Sequence, residues 1–169
     1  MYNISSSPML INVTLADNIG VSGSAIYNQS NSNLVAINTI IWGDVTENLI
    51  VNNGVTNVNT ISYSIVPATE TTYTDAGNNK SDDPMFVGGG NYSLQADSPA
   101  IDMGNDSANT TSLDLADNPR KDGVIDMGAF EYVFLLPVPT LGQWGVMILA
   151  LLLLILGVVS AKNRVGAAI

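Results

Sequence analysis

Between residues 1 and 66 apolar and polar positions alternate in short bursts. Ile11, Val13 and Leu15 flank Asn12 and Thr14, a period of two that reads as a strand. Moving on 26 residues gives Ile37, Thr39 and Ile41, and a further 24 gives Ile61, Tyr63 and Ile65; the interleaved Asn12, Asn38 and Ser62 stay polar. A second register runs Met1-Tyr2-Asn3, Ile26-Tyr27-Asn28 and Ile50-Val51-Asn52, at steps of 25 and 24. Two short strands per repeat, split by Gly, Asn and Ser, predict the coils of a right-handed parallel β-helix, about three of them over residues 1–66. Ile11, Ile37 and Ile61 would then point inward in one column, and Asn3, Asn28 and Asn52 would bond one another as an amide ladder. An antiparallel β-sandwich also alternates and carries turn signals at similar spacing, but the fixed period favours coils.

Residues 67–97 leave the period. Pro67 and the polar run 71–81 read as a surface loop. Asp82-Asp83-Pro84-Met85-Phe86-Val87 and Asn91-Tyr92-Ser93-Leu94 read as short strands around the glycine turn 88–90. Three further runs are Ser98-Pro99-Ala100-Ile101-Asp102-Met103-Gly104, Asp117-Asn118-Pro119-Arg120 and Asp126-Met127-Gly128-Ala129-Phe130-Glu131-Tyr132. Together with Ile41-Trp42-Gly43-Asp44 and 82–86, they resemble a choice-of-anchor Q domain, with Met103, Lys121 and Phe130 as mild departures. The resemblance implies that 67–132 hold the last coil and a C-terminal cap. A β-helix end, with its open strand edges and exposed core, needs such a cap. Residues 133–137 then form an apolar linker.

The pattern changes once more at Val138-Pro139-Thr140-Leu141-Gly142-Gln143-Trp144-Gly145, after which 146–159 hold no charged residue and Lys162 and Arg164 follow. The stretch 145–161 predicts one transmembrane helix: its 17 residues rise roughly 26 Å, at the short end of what a bilayer of about 30 Å asks. A buried core helix is the competing reading. Trp144 at the boundary and Lys162 and Arg164 behind it favour the membrane and set the topology, with the N-terminal part outside the cytoplasm. Pro137 and Pro139 would keep the preceding motif extended. Motif, apolar helix and basic tail together resemble the IPTLxxWG-CTERM sorting domain of Gram-negative bacteria. Pro139, Thr140, Leu141, Trp144 and Gly145 fall on its fixed positions, with Val138 in place of the usual Ile. The resemblance makes 138–169 a sorting signal and implies processing by an exosortase, a dedicated membrane enzyme of transpeptidase-like type.

Charge and composition narrow the function. The chain has 169 residues and a net charge of −10. Ahead of the apolar run, Lys80, Arg120 and Lys121 face 15 Asp and Glu, so that part carries −12. So acidic a surface repels nucleic acid. There is no Cys and no His, which removes disulfides, thiolate sites and the commonest general base. Met1-Tyr2-Asn3 opens no signal peptide, so the expectation is the C-terminal part of a longer exported protein. No cofactor and no metal site is expected.

Carboxylates are the remaining candidate chemistry. Asp82-Asp83 resemble the acidic pairs of glycosidases, which set two carboxyls about 5 to 9 Å apart across a sugar, but a solvated turn before Pro84 fits better. Asp114, Asp117, Asn118, Asp122 and Asp126 offer oxygen ligands for calcium without matching a known loop spacing. Tyr2, Tyr27 and Trp42 could stack on sugars or on one another between coils. The expectation is therefore an exported, surface-sorted, non-enzymatic protein, structural or adhesin-like. Its expected partners are the inner membrane, an exosortase and surface polysaccharide. A carbohydrate-active lyase or glycosidase with its active site in a missing N-terminal part is the alternative, and a degenerate fragment a third.

Overall fold

The computed structural model describes residues 1–43, 48–54, 56–134 and 141–166; in the last stretch the side chains described are those of 142–156. The chain divides into two compact units, Met1–Phe134 and Leu135–Ile169.

In the first unit the repeats pair side by side and parallel. Strands β1 (Tyr2–Ile4), β4 (Ile26–Gln29) and β7 (Ile50–Asn53) form one sheet in that order. Strands β2 (Met9–Ile11), β5 (Leu34–Ile37), β8 (Asn59–Ser62) and β9 (Thr74–Asp75) form a second, and β3 (Thr14–Ala16) pairs with β6 (Ile40–Trp42) in a third. All these pairs are parallel. Asn12 and Asn38 turn the chain between the second and third sheets with φ of 57° and 52°. Such left-handed backbone suits Asn better than most residues, because its short amide bonds locally.

Within the ladders the register is one residue away from expectation. Ile11 stands beside Ile37, but the next position is Ser62; Ile61 stands beside Ala36, which stands beside Leu10. Ala36 and Ile61 are fully buried, whereas Ile11 and Ile37 lie half-buried on the opposite face. The cause is one extra residue between strands: β5 starts eight residues after β4, β8 nine after β7. A shift of one turns a strand's side chains to the other face. Residues 71–81 also differ from the loop expected there. Thr74 and Asp75 add to β8, and Lys80 bridges Ile65, so this stretch is a shortened rung of the same ladders.

Two apolar clusters result. Ala25, Ile26, Leu34, Ala36, Ile41, Leu49, Ile50, Ile61 and Val66 gather side chains from the three parallel sheets. Ile40, Ile65, Leu94, Ala100 and Met127 form the other, with Trp42, Tyr63, Phe86, Ile101 and Tyr132 packed against it. The second cluster uses the other face of β6 and is covered by residues 84–132. That covering segment holds the antiparallel hairpin β10 (Phe86–Gly88) and β11 (Asn91–Leu94), a single 3₁₀ turn at Asp106–Ala108, and otherwise irregular chain.

The expected right-handed parallel β-helix of about three coils, with a cap and one transmembrane helix behind it, is corrected on both counts. The strands are two to four residues long and the sheets hold two to four strands. Past Lys80 the parallel pairing gives way to one hairpin and turns, so no long parallel β-helix is built. The second unit contains α1 (Leu141–Gly166), and among the described residues no helix is long and apolar enough to cross a membrane. The described apolar stretch of α1, 146–156, rises about 16 Å, well short of a hydrocarbon core of about 30 Å; the side chains of 157–161, which completed the expected span, lie outside the described ones.

Candidate functional site

The densest chemistry among the described residues lies in 98–132, around Arg120. The turn before it is drawn by Asp114, whose Oδ1 accepts the Ala116 and Asn118 amides, both at 2.8 Å. Its Oδ2 accepts the Glu131 amide at 2.8 Å and Asn118 Nδ2 at 3.2 Å. That turn directs Arg120 inward, where it is 1% exposed. Arg120 Nη2 donates to the carbonyls of Asp126 (3.0 Å) and Gly128 (2.6 Å), and Nη1 lies 3.7 Å from Glu131 Oε1. Arg120 Nε and Nη1 have no hydrogen-bond partner among the described residues. Asp126 and Glu131 are buried too. Asp126 accepts the Asp102 amide (2.8 Å) and the Tyr132 amide (2.6 Å), and Glu131 accepts the Asp126 amide at 2.9 Å.

Burial sets the charges of this cluster. It pushes the Glu131 carboxyl up to about 7, against the pull of the Asp126 amide, with the Asp126 charge adding to the rise. Burial also raises Asp126, although the Tyr132 and Asp102 amides oppose it. Asp114 goes the other way: burial raises it, but its hydrogen bonds with Glu131, Asn118 and Ala116 outweigh that and hold it below the ordinary carboxylate value. Burial lowers Arg120, against the three carboxylates that favour its charge. The carboxyls are turned to backbone amides of their own segment, an arrangement that ties the chain together.

The sequence does not announce this cluster: there Asp114 and Asp126 stand only among five residues, with Asp117, Asn118 and Asp122, that offer oxygen atoms without a calcium-loop spacing. The structure brings the first two to Arg120 and leaves Asp117 and Asp122 exposed. A signal was present: Ile101-Asp102-Met103-Gly104 recurs as Ile125-Asp126-Met127-Gly128, and the two copies bond each other through Gly104 N to Ile125 O and Asp102 N to Asp126. Asp82 and Asp83 lie exposed, and Asp83 closes a turn by accepting the Met85 amide at 2.8 Å. Tyr2 and Tyr27 stack on each other, centroids 5.2 Å apart and planes 14° from parallel, so each turns one ring face to the other. Trp42 packs into the second cluster.

The other candidate is the C-terminal motif. Val138, Pro139 and Thr140 lie outside the described residues; Leu141 begins α1, Trp144 is half exposed, and nothing crowds Gly145. Lys162 and Arg164 fall within α1, and their side chains lie outside the described ones. Residues 137–162 match the IPTL-CTERM motif. The motif marks a C-terminal sorting signal, carried by exported proteins that an exosortase-type enzyme processes, and its destination is the cell envelope or surface. The IPTL-CTERM match assigns nothing to residues 1–136. No curated protein and no solved structure matches the chain.

Proposed function

We propose that the chain is a non-enzymatic surface protein of a Gram-negative envelope, structural or adhesive, whose sorting signal is cut by an exosortase near Pro139-Thr140. The IPTL-CTERM match at 137–162 carries this reading. Two features of the first unit support it. Its −12 charge keeps it soluble and away from nucleic acid. Its Asn ladders and buried ionic cluster are devices of rigidity. Residues 67–132 read as a choice-of-anchor Q-like segment, supported by the burial of Arg120, Asp126, Gly128 and Glu131. Contact with surface polysaccharide would fall to the polar Asn, Ser and Thr faces. Before the cut, the chain is held at the inner membrane.

The test is expression in a Gram-negative host with and without a matching exosortase, followed by mass spectrometry of the mature C-terminus. The expected product ends near residue 139 when the enzyme is present, and Thr140→Ala leaves the chain uncut. A mature protein that keeps 146–169 whether or not the enzyme is there overturns the reading.

A further inference from the structure

Three buried carboxyls, Asp114, Asp126 and Glu131, surround the single guanidinium of Arg120. We propose that they form a proton-operated latch on residues 125–132, closed while Glu131 carries a proton and loosened when it ionises. The geometry sets the charge balance. With Arg120 cationic and Asp114 anionic the cluster is neutral; ionising Asp126 and Glu131 as well adds two negative charges in a site shielded from water. The guanidinium cannot offset both. It carries one positive charge, already matched by Asp114; Nη2 is taken by two carbonyls, and Nη1, without a hydrogen-bond partner among the described residues, pairs with Glu131 only at 3.7 Å, an ion-pair distance longer than a hydrogen bond. The neighbouring charged groups do not relieve the excess. Asp102 lies beside Asp126 and adds to its burden, while Lys121 is occupied by Asp106, which accepts the Ile125 amide. A cavity of about 250 Å³ lined by Asn12, Asp114 and Arg120 borders the Asp114 side of the cluster.

Opening the latch frees both ends of one segment. Asp126 and Tyr132 lose the acceptors of their amides, and Arg120 leaves the Asp126 and Gly128 carbonyls. The freed segment is the one that runs toward the sorting signal in sequence. The raised Glu131 agrees in sign. A carboxyl whose folded value lies above its ordinary 4.5 adds stability below that value and loses it as pH rises toward about 7.

Amide hydrogen exchange on the full chain tests the latch, with rates corrected for intrinsic pH dependence. Opening at the amides of Asp126, Gly128 and Tyr132 should increase about tenfold or more between pH 5 and pH 7.5 in the wild type. In Glu131→Gln, which keeps an oxygen to accept the Asp126 amide, the increase should shrink severalfold. Ile26 and Ile61 amides, in the parallel ladders, should stay protected throughout. An increase of equal size in wild type and Glu131→Gln overturns the latch, as does a wild-type profile flat in pH. A lost ladder signal in Glu131→Gln would mean a folding defect; the wild-type pH profile then decides alone.

Discussion

Gly128 shows how much a single residue carries in this fold. Its φ is +97°, and a Cβ built on it would lie 2.7 Å from Ile40 Cδ1 and 2.8 Å from Thr14 Oγ1. Its amide donates to Asn38 O at 2.8 Å and its carbonyl receives Arg120 Nη2. One residue therefore touches two parallel rungs and the buried ionic cluster, and only glycine has both the backbone freedom and the missing volume. Gly128→Ala should lower stability by about 3 kcal/mol through strain and overpacking. Urea denaturation of the full chain measures this. At Gly89, also at positive φ (63°) but with open space around it, the same change should cost about 1 kcal/mol, so equal losses at the two sites would contradict the packing argument.

At the scale of elements, parallel strands of three or four residues offer few backbone bonds, and side-chain ladders make up the difference. Asn3 Nδ2 donates to Asn28 Oδ1 at 2.6 Å, and Asn28 Nδ2 donates to Asn59 Oδ1 at 2.7 Å and to Asn52 Oδ1 at 3.3 Å. Asn59 and Asn52 then reach the Thr72 carbonyl. The ladder thus ties the first sheet to the second, since Asn59 lies on β8. Glu70 finishes the β7 edge by accepting the Ile50 amide, a polar cover on a strand that would otherwise offer free backbone. Asn28→Leu should cost about 3 kcal/mol, because it leaves Asn3 and Asn59 with buried groups unpaired. Tyr27, on the same strand but half-buried, stacked on Tyr2 and accepting from Asn53 Nδ2, should tolerate Leu with a loss of about 1 kcal/mol. Thermal melts of the two variants decide: if Tyr27→Leu is the more damaging, the aromatic stack rather than the amide ladder holds this sheet.

For the whole molecule, several of the described carboxyls are spent on the fold itself. Asp83 closes a turn, Glu70 covers an edge, Asp114 draws a loop, and Asp126 and Glu131 hold backbone amides around Arg120. With no His and no Cys in the chain, general acid–base work would fall to these carboxyls. Incubating the full chain with pectin, alginate or chitin oligomers should give no release of shorter products. Sustained release that disappears in Asp82→Asn or Asp83→Asn would instead assign catalysis to that exposed pair.

The sorting signal was legible in the sequence because it is read as a linear address: a short motif, an apolar run and a basic tail need no tertiary contact to be recognised. The parallel pairing of the 24–26-residue repeats and the Asn3, Asn28 and Asn52 ladder were legible for a related reason, since equal spacing returns identical residues to neighbouring positions. The register was not. Whether Ile37 or Ala36 meets Ile61 depends on one residue gained in the loop after β7, and alternation looks the same in either register. Nor could strand pattern foretell that Thr74, Asp75 and Lys80 would join the ladders, because their backbone pairs while their side chains stay polar. The Arg120 cluster was the furthest from reach. Its members lie 5 to 17 residues apart and become one site only when the chain brings the second Asp-Met-Gly back against the first. Burial, which exists only in the folded chain, then raises Glu131 and Asp126 while hydrogen bonds lower Asp114, so three carboxyls alike in sequence become different groups in the structure.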